Sequence, residues 1–139
     1  FGFKGSYSQS SSPFTGLAVD EIWLIKSECL ARSGNVSAAM DALNKLMEQR
    51  WKTGTFIPFK ATDMNSAMQI ILAERRKELL FRDLRWMDLK RLNREPALQQ
   101  TIYRKVNGQT YQLLPNDNRY ALPIPNSVIQ ISGIPQNPR

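Results

Sequence analysis

Two carboxylates one helical turn apart, Glu74 and Glu78, have the spacing that acid–base chemistry needs. On a helix they share one face, so one could donate a proton while the other removes one. Basic residues crowd both, however, and Glu78 and Arg82 have the i, i+4 spacing of a favourable ion pair. Because a carboxylate beside an arginine has a lowered pKa, this setting favours structural ion pairs over a general acid. The residues that we expect in such pairs are Glu74, Arg75, Glu78, Arg82, Arg85, Asp88 and Arg91.

Other catalytic signatures are missing from the sequence. There is no histidine, which removes the commonest general base and the commonest transition-metal ligand. The single cysteine, Cys29, falls within a helical pattern, where we expect a small buried apolar side chain rather than a nucleophile. Neither a glycine-rich phosphate loop nor a nucleophile elbow is present. The sequence therefore predicts no catalytic residue, no metal site and no cofactor.

Aromatic side chains are the remaining candidates for ligand binding, because an aromatic ring can stack on the apolar face of a pyranose. Trp23 and Trp86 lie on helical stripes and are expected in the core. Trp51 lies at a predicted helix end, and Tyr103 and Tyr111 lie in a predicted hairpin, so all three are less constrained. These three residues are the candidate ligand contacts.

The formal net charge of +7 is compatible with nucleic acid or another anionic partner. The 19 basic and 12 acidic residues are interleaved rather than arranged in blocks, and no nucleic-acid-binding motif is present. We therefore do not expect nucleic acid as a partner. No run of 18 apolar residues exists, so the sequence predicts no membrane-spanning helix.

The apolar spacing predicts a first helix over residues 20–32 with two adjacent stripes. The first consists of Val19, Ile22, Lys26 and Cys29, and the second of Trp23, Ser27 and Leu30. Gly34-Asn35 is expected to end it, since both residue types tolerate the left-handed conformation found at helix ends.

A second helix is predicted to start with Ser37 as its cap and to run to about Trp51. The turn between the two helices is so short that they must form an αα-hairpin. The order of a large residue at Trp23, a small one at Ser27 and a Gly-Asn turn is typical of a tetratricopeptide repeat. The apolar stripe expected on the second helix is Ala39, Met40, Leu43, Leu46 and Met47.

A third helix is predicted to begin after Thr62 or Asp63. No Glu or Gln follows three residues later, so we expect no full capping box. Helix is expected to continue through the charged segment to about Arg94, with a bend or break near residues 82–83. Pro96 prevents further continuation.

From Ile102 the hydrophobic period changes to two, and Asn107-Gly108 predicts a β-hairpin with a type I′ turn. Pro123 and Pro125 favour extended backbone before each of them. The tail that follows is expected to be irregular.

The 139 residues are enough for one domain with a modest core. The chain does not begin with Met, and we expect it to be the C-terminal part of a longer polypeptide. The predicted fold is mainly α, with a tetratricopeptide-like helical hairpin, further helices, a small β-hairpin and an irregular proline-rich tail. The expected segments are a loop or strand remnant at 1–16, the helix pair at 17–52, the charged helices at 62–95, and the hairpin and tail at 100–139.

Four segments taken together resemble the C-terminal half of the SusD/RagB family, over roughly residues 17 to 139 and in the right order. The strongest is the charged helical segment; the Gln-Asn-Pro end adds specificity. The matching segments are residues 20–28 with Gly34-Asn35, residues 42–44 with Arg50, residues 74–91, and Ile124-Pro125 with Gln136-Asn137-Pro138.

This resemblance implies a nutrient-binding outer-membrane lipoprotein of Bacteroidetes, not an enzyme, displayed on the cell surface. The implied partners are a SusC-like TonB-dependent transporter and an oligosaccharide or peptide ligand. Cys29 does not match the lipidated cysteine of the family, so we expect membrane attachment only through a lipid anchor outside this segment. Family ligand contacts come largely from loops outside the scaffold, many of them in the N-terminal half, so no binding residue is carried over.

The ion-pair residues are the ones that the resemblance carries over, with the expected role of holding the terminal helices and the tail together. The alternative to nutrient binding is a tetratricopeptide-type scaffold for protein–protein interaction. A single helical pair and a proline-rich tail argue against that alternative.

Charge reversal at Glu78 is expected to destabilise the fold without selectively abolishing ligand binding, because the residue is assigned to the scaffold. Thermal unfolding and ligand binding of the Glu78→Lys variant check this together. An unchanged melting temperature combined with lost binding contradicts the structural assignment.

Overall fold

The computed structural model of the chain describes Ser12, Phe14 and residues 16–139. The loop or strand remnant expected at 1–16 therefore falls mainly outside the described residues. The chain consists of two compact units. The first ends at Arg85 and the second begins at Trp86. The prediction of a mainly α fold with one small β-hairpin is confirmed.

Within the described residues the secondary structure consists of five α-helices, three short 3-10 helices and one two-stranded hairpin. The 3-10 helices are Glu48–Arg50, Pro96–Leu98 and Asn118–Tyr120. The α-helices and strands are α1 Val19–Arg32, α2 Val36–Met47, α3 Met64–Glu78, α4 Arg85–Leu92, β1 Ile102–Val106, β2 Gln109–Leu113 and α5 Asn126–Ser132.

Helices α1 and α2 pack together as the predicted αα-hairpin. The small residue Ser27 is fully buried, and its hydroxyl donates a 2.6 Å hydrogen bond to the carbonyl of Ala39 on α2. Gly34 adopts a φ of 84° in the turn, as its left-handed position requires. The residue that caps α2 is Asn35, whose side chain accepts from the N–H of Ala38, so the assignment of the cap to Ser37 was wrong. The stripe predicted for α2 is confirmed as buried: Ala39, Met40, Leu43, Leu46 and Met47.

The first stripe predicted for α1 has the wrong phase, whereas the adjacent stripe contains fully buried Ser27. Cys29 is exposed, and Val19 and Ile22 are exposed beside it, so the expectation of a buried cysteine was wrong. Acidic side chains explain the error, because Asp20 and Glu28 occupy buried positions that a search for apolar residues passes over. The buried residues of α1 are Asp20, Leu24, Ser27, Glu28 and Ala31.

Helix α3 is capped by Asp63, which was one of the two residues predicted as its cap. Its carboxylate accepts from the N–H of Ser66, and the Ser66 hydroxyl accepts from the N–H of Asp63. These two bonds form a capping box, so the expectation of none was wrong: a serine hydroxyl does here what a Glu or Gln usually does. The backbone and side-chain hydrogen bonds from Ser66 lower the pKa of the Asp63 carboxyl.

The charged segment is broken between Glu78 and Arg85, and the break includes residues 82–83, where a bend or break was predicted. Non-glycine residues with positive φ occupy the turn, Phe81 at 60° and Asp83 at 57°. Such left-handed positions interrupt a right-handed helix and are strained. Helix α4 then ends at Leu92, two residues before the predicted end.

In the second unit, β1 and β2 pair as the predicted antiparallel hairpin. Asn107 and Gly108 have φ values of 49° and 80°, and positive φ at both central residues is the mark of the predicted type I′ turn. The register pairs Tyr103 with Gln112 and Arg104 with Tyr111.

The C-terminal tail is irregular except for α5, a short helix that the sequence did not predict. The side-chain amide of Gln136 accepts from the N–H of Ile124 at 2.8 Å and donates to the carbonyl of the same residue at 2.9 Å. Asn137 donates to the carbonyl of Leu122 at 2.6 Å. The Gln-Asn pair near the end of the chain therefore clamps the extended segment before α5.

Because Ser27 is buried against α2, the Ser27→Leu substitution is expected to overpack the helix pair and to lower the free energy of unfolding by about 1–3 kcal/mol. The same new side chain at exposed position 29, in Cys29→Leu, is expected to change it by about 0.5 kcal/mol or less. Chemical denaturation of the two variants measures the difference. Equal losses would contradict the helix phase described above.

Candidate ligand-binding site

A surface loop between the end of α2 and the start of α3 carries Trp51, one of the predicted ligand contacts. The loop is folded back on itself, since the N–H and the hydroxyl of Thr55 both donate to the carbonyl of Lys52, at 2.9 and 2.7 Å. Gly54, with a φ of 78°, provides the left-handed turn that this arrangement needs.

The far end of the loop is fixed to α2 by the side-chain amide of Asn44. Its oxygen accepts from the N–H of Phe59 at 2.8 Å, and its nitrogen donates to the carbonyl of the same residue at 3.0 Å. One side chain thus satisfies both backbone groups of a loop residue 15 positions away. The loop conformation is therefore determined by the scaffold and not only by its own turns.

Three aromatic rings form a chain along this loop. The Trp51 and Phe56 ring centroids are 6.0 Å apart, and those of Phe56 and Phe59 are also 6.0 Å apart in an edge-to-face arrangement. Such tilted packing is favourable between aromatic rings. The Trp51 ring packs against Phe56, yet the residue remains 51% exposed. Part of the ring therefore faces solvent.

The exposed part of Trp51 lines a cleft of about 490 Å³. This volume lies in the range of small-molecule sites. In the described part of the chain, no hydrogen bond or ion pair uses the side chains of Glu48, Gln49, Lys52 or Thr53, so their polar groups are available to a ligand. The lining residues are Glu48, Gln49, Trp51, Lys52, Thr53, Gly54, Phe56 and Pro58.

The other two predicted contacts, Tyr103 and Tyr111, are exposed on the hairpin of the second unit. Because Tyr103 faces Gln112 across the ladder and Tyr111 faces Arg104, the two rings lie on opposite faces of the hairpin. The Tyr111 hydroxyl donates to the side chain of Gln109. The hairpin therefore does not bring the two tyrosines into one site.

Arg82 is the most buried basic residue of the predicted ion-pair set, with 5% exposure. Its guanidinium donates to the carbonyl of Gly16 at 2.7 Å and lies 3.5 Å from a carboxylate oxygen of Asp20 and 3.6 Å from one of Glu21. The Phe14 ring covers it at 4.9 Å. The turn after α3 is thereby tied to the start of α1.

The pairing of Glu78 differs from the prediction. We expected an i, i+4 pair with Arg82, but α3 ends at Glu78, so the helical spacing that such a pair needs does not exist. Glu78 instead pairs with Arg50, with oxygen and nitrogen 2.6 Å apart. Arg75 lies 3.6 Å from Glu21 of α1, and Glu74 pairs with Lys77.

The described partners of Arg75, Glu78 and Arg82 thus lie in the first unit and not in the tail, where we expected them. In α4, Asp88 pairs with Arg91 at 3.0 Å as predicted from their i, i+3 spacing. The suggested pair of Arg85 with Asp88 stays a prediction.

Sequence reasoning found Trp51 but missed the cleft around it. Phe56 and the polar residues of the rim carry no periodic signal, and the Asn44–Phe59 contact joins residues far apart in sequence. An Asn on the polar side of a helix that precedes an aromatic-rich loop is the only signal that could have indicated it.

Within the described residues, no group of three or more His, Cys, Asp or Glu side chains is placed to hold a metal ion. None of the helices in the same part of the chain has the length and apolar character needed to cross a membrane.

The Arg82→Met substitution is expected to lower the free energy of unfolding by about 3–5 kcal/mol, since it leaves buried Asp20 without its arginine partner. The matched Arg50→Met variant removes a cation that is 41% exposed, and a loss of about 1 kcal/mol or less is expected. Urea denaturation of both variants tests the ranking. A smaller loss of unfolding free energy for Arg82→Met than for Arg50→Met would show that the contacts of Arg82 with Asp20 and Glu21 do not stabilise the position of α1.

The comparison with known families matches the chain to the SusD family model over residues 5–139. Neither a curated protein sequence nor a solved structure matches it significantly. The SusD family is one of binding proteins that are generally non-catalytic, and membership suggests nutrient or glycan binding by a cell-surface lipoprotein. Because the match extends over nearly all of the sequence, the chain belongs to the SusD family.

Proposed function

We propose that this chain contributes to the capture of a saccharide nutrient at the outer surface of the cell, with the Trp51 cleft as a contact site. The bound saccharide is then passed to a SusC-like TonB-dependent transporter. The observation that carries the proposal is a half-exposed tryptophan in a polar-rimmed cleft, in a member of a nutrient-binding family.

The chemistry of the cleft suits a sugar. One face of a pyranose ring is lined by C–H groups and stacks on an indole, while its hydroxyl groups need hydrogen-bond donors and acceptors around the edge. Trp51 supplies the ring, Glu48 and Gln49 supply acceptors, and Lys52 and Thr53 supply donors.

The loop is held in shape by its own hydrogen bonds and by those to α2, which also supports binding. The Asn44–Phe59 hydrogen bonds fix one end, and the Thr55–Lys52 bonds fix the middle. A preformed site loses less conformational entropy when a ligand binds, so even a small saccharide can be held.

A second candidate function, a tetratricopeptide-type interaction scaffold, is supported by one surface of α1. Val19, Ile22 and Ile25 are 69, 57 and 47% exposed on the side of the helix pair opposite Ser27 and Leu24. An apolar helix face of this kind suits a protein partner. It gives no account of the Trp51 cleft, and saccharide capture therefore remains the better proposal.

Isothermal titration with malto-, cello-, xylo- and mannohexaose tests the proposal. For the saccharide that binds, Trp51→Ala is expected to weaken affinity about 10-fold or more, since truncating a central aromatic anchor commonly costs over 1.4 kcal/mol. Trp51→Phe retains a ring and is expected to bind with intermediate affinity. Tyr103→Ala, which removes a ring that is 66% exposed on the hairpin, is the control and is expected to bind as wild type.

Unchanged affinity of the Trp51→Ala variant would exclude this cleft as the contact site. Absence of binding to every hexasaccharide, together with binding of peptides that Ile22→Ser abolishes, would favour the interaction scaffold instead.

A further inference from the structure

A second cleft, of about 250 Å³, lies within the second unit and shares no residue with the Trp51 cleft. It lies where the end of α4 meets the turn that follows β2. Its lining residues are Lys90, Asn93, Arg94, Asn116, Asp117 and Tyr120.

The floor of this cleft is rigid. Asn93 is 1% exposed; its amide nitrogen donates to the hydroxyl of buried Tyr120 at 2.9 Å, and its amide oxygen accepts from the N–H of Gln100 at 2.9 Å. The Trp86 ring packs on the Tyr120 ring with centroids 4.9 Å apart. These contacts fix the positions of the residues beside Asn93 in the cleft.

The charges of the cleft do not cancel. Lys90 lies in α4 and Arg94 lies two residues beyond its end, and in the part of the chain that the structure describes neither has an ion-pair partner. The negative charge of Asp117 is compensated, because the Arg119 guanidinium donates two hydrogen bonds of 2.9 and 2.7 Å to its carboxylate. The Arg119 side chain lowers the pKa of the Asp117 carboxyl to about 2, so this pair stays ionised at neutral pH.

The carbonyl groups at the end of α4 would repel an anion, but they are already engaged. The carbonyls of Arg91 and Leu92 accept from the N–H groups of Arg94 and Glu95. The carbonyl of Asn93 accepts from the side-chain amides of Gln99 and Asn116, at 3.0 and 2.9 Å. The cleft therefore presents two positive side chains over a neutral, hydrogen-bonded base.

From this arrangement we infer that the cleft binds the oxyanion of an acidic saccharide, such as the carboxylate of a uronic acid or a sulfate ester. Lys90 and Arg94 contact the oxyanion, since charge-assisted hydrogen bonds from ammonium and guanidinium groups are the strongest available here. The inference rests on the proposed function, which supplies the saccharide that carries the anion. It deepens that function by naming acidic saccharides as the substrate class.

The experiment is an NMR titration of the isotope-labelled chain at constant ionic strength with glucuronate, glucose 6-sulfate, glucose and sodium sulfate. We expect saturable shifts of the Arg94 side-chain N–H and the Asn116 amide signals with glucuronate and glucose 6-sulfate, and none with glucose. Losing the charge-assisted bonds in Lys90→Gln/Arg94→Gln is expected to weaken affinity about 10-fold or more. The matched control is Arg104→Gln/Lys105→Gln, which removes the same charge from the exposed hairpin and is expected to bind as wild type.

Each other outcome overturns the inference. Shifts with sodium sulfate alone would mark a site for a free inorganic anion and not for a saccharide. No saturable shift in the wild-type chain, or equal weakening in both double variants, would show that Lys90 and Arg94 only stabilise the C-terminus of α4. The same titration of Trp51→Ala keeps the two proposals apart, because the shifts at Arg94 do not depend on the Trp51 cleft.

Discussion

A buried guanidinium, that of Arg82, ties the turn after α3 to the start of α1. Removing a charge from water costs several kcal/mol unless partners surround it, so the chain must bring carboxylates and a carbonyl to this point. Asp20, Glu21 and Gly16 do so, and they join the turn after α3 to the start of α1. Phe81 and Asp83, on either side of Arg82, have the strained positive φ values of this turn. Once α1 and α3 are joined in this way, the loop at 51–59 leaves a fixed scaffold.

Asn44, Arg82 and Gln136, which lie in the segments that resemble the family, build the scaffold, whereas Trp51 and Arg94 lie outside those segments. Asn44 and Gln136 each use one side-chain amide to bind both backbone groups of a distant residue, and Arg82 fixes the turn between helices. Trp51 and Arg94, in contrast, lie just beyond helix ends, and part of the Trp51 ring faces solvent although the ring also packs against Phe56.

The sequence predicted the parts of the fold in which local pattern and tertiary packing agree. The stripe of α2 and the Asn107-Gly108 turn are of this kind, because apolar spacing and positive φ are both local properties. It failed where buried positions hold charges: Asp20 and Glu28 took the place of apolar residues and shifted the predicted face of α1, which left Cys29 exposed. The Trp51 cleft could not be predicted for a related reason. It depends on hydrogen bonds between residues far apart in sequence, and such bonds leave no periodic pattern in the sequence.

The proposed capture of a saccharide depends on its stacking on the half-exposed ring of Trp51. An NMR search for intermolecular nuclear Overhauser effects between a bound oligosaccharide and the indole protons of that residue tests this contact. We expect cross-peaks from the axial C–H protons on one pyranose face to the Trp51 ring. Binding accompanied by cross-peaks only to Tyr103, Tyr111 or another part of the chain would contradict it.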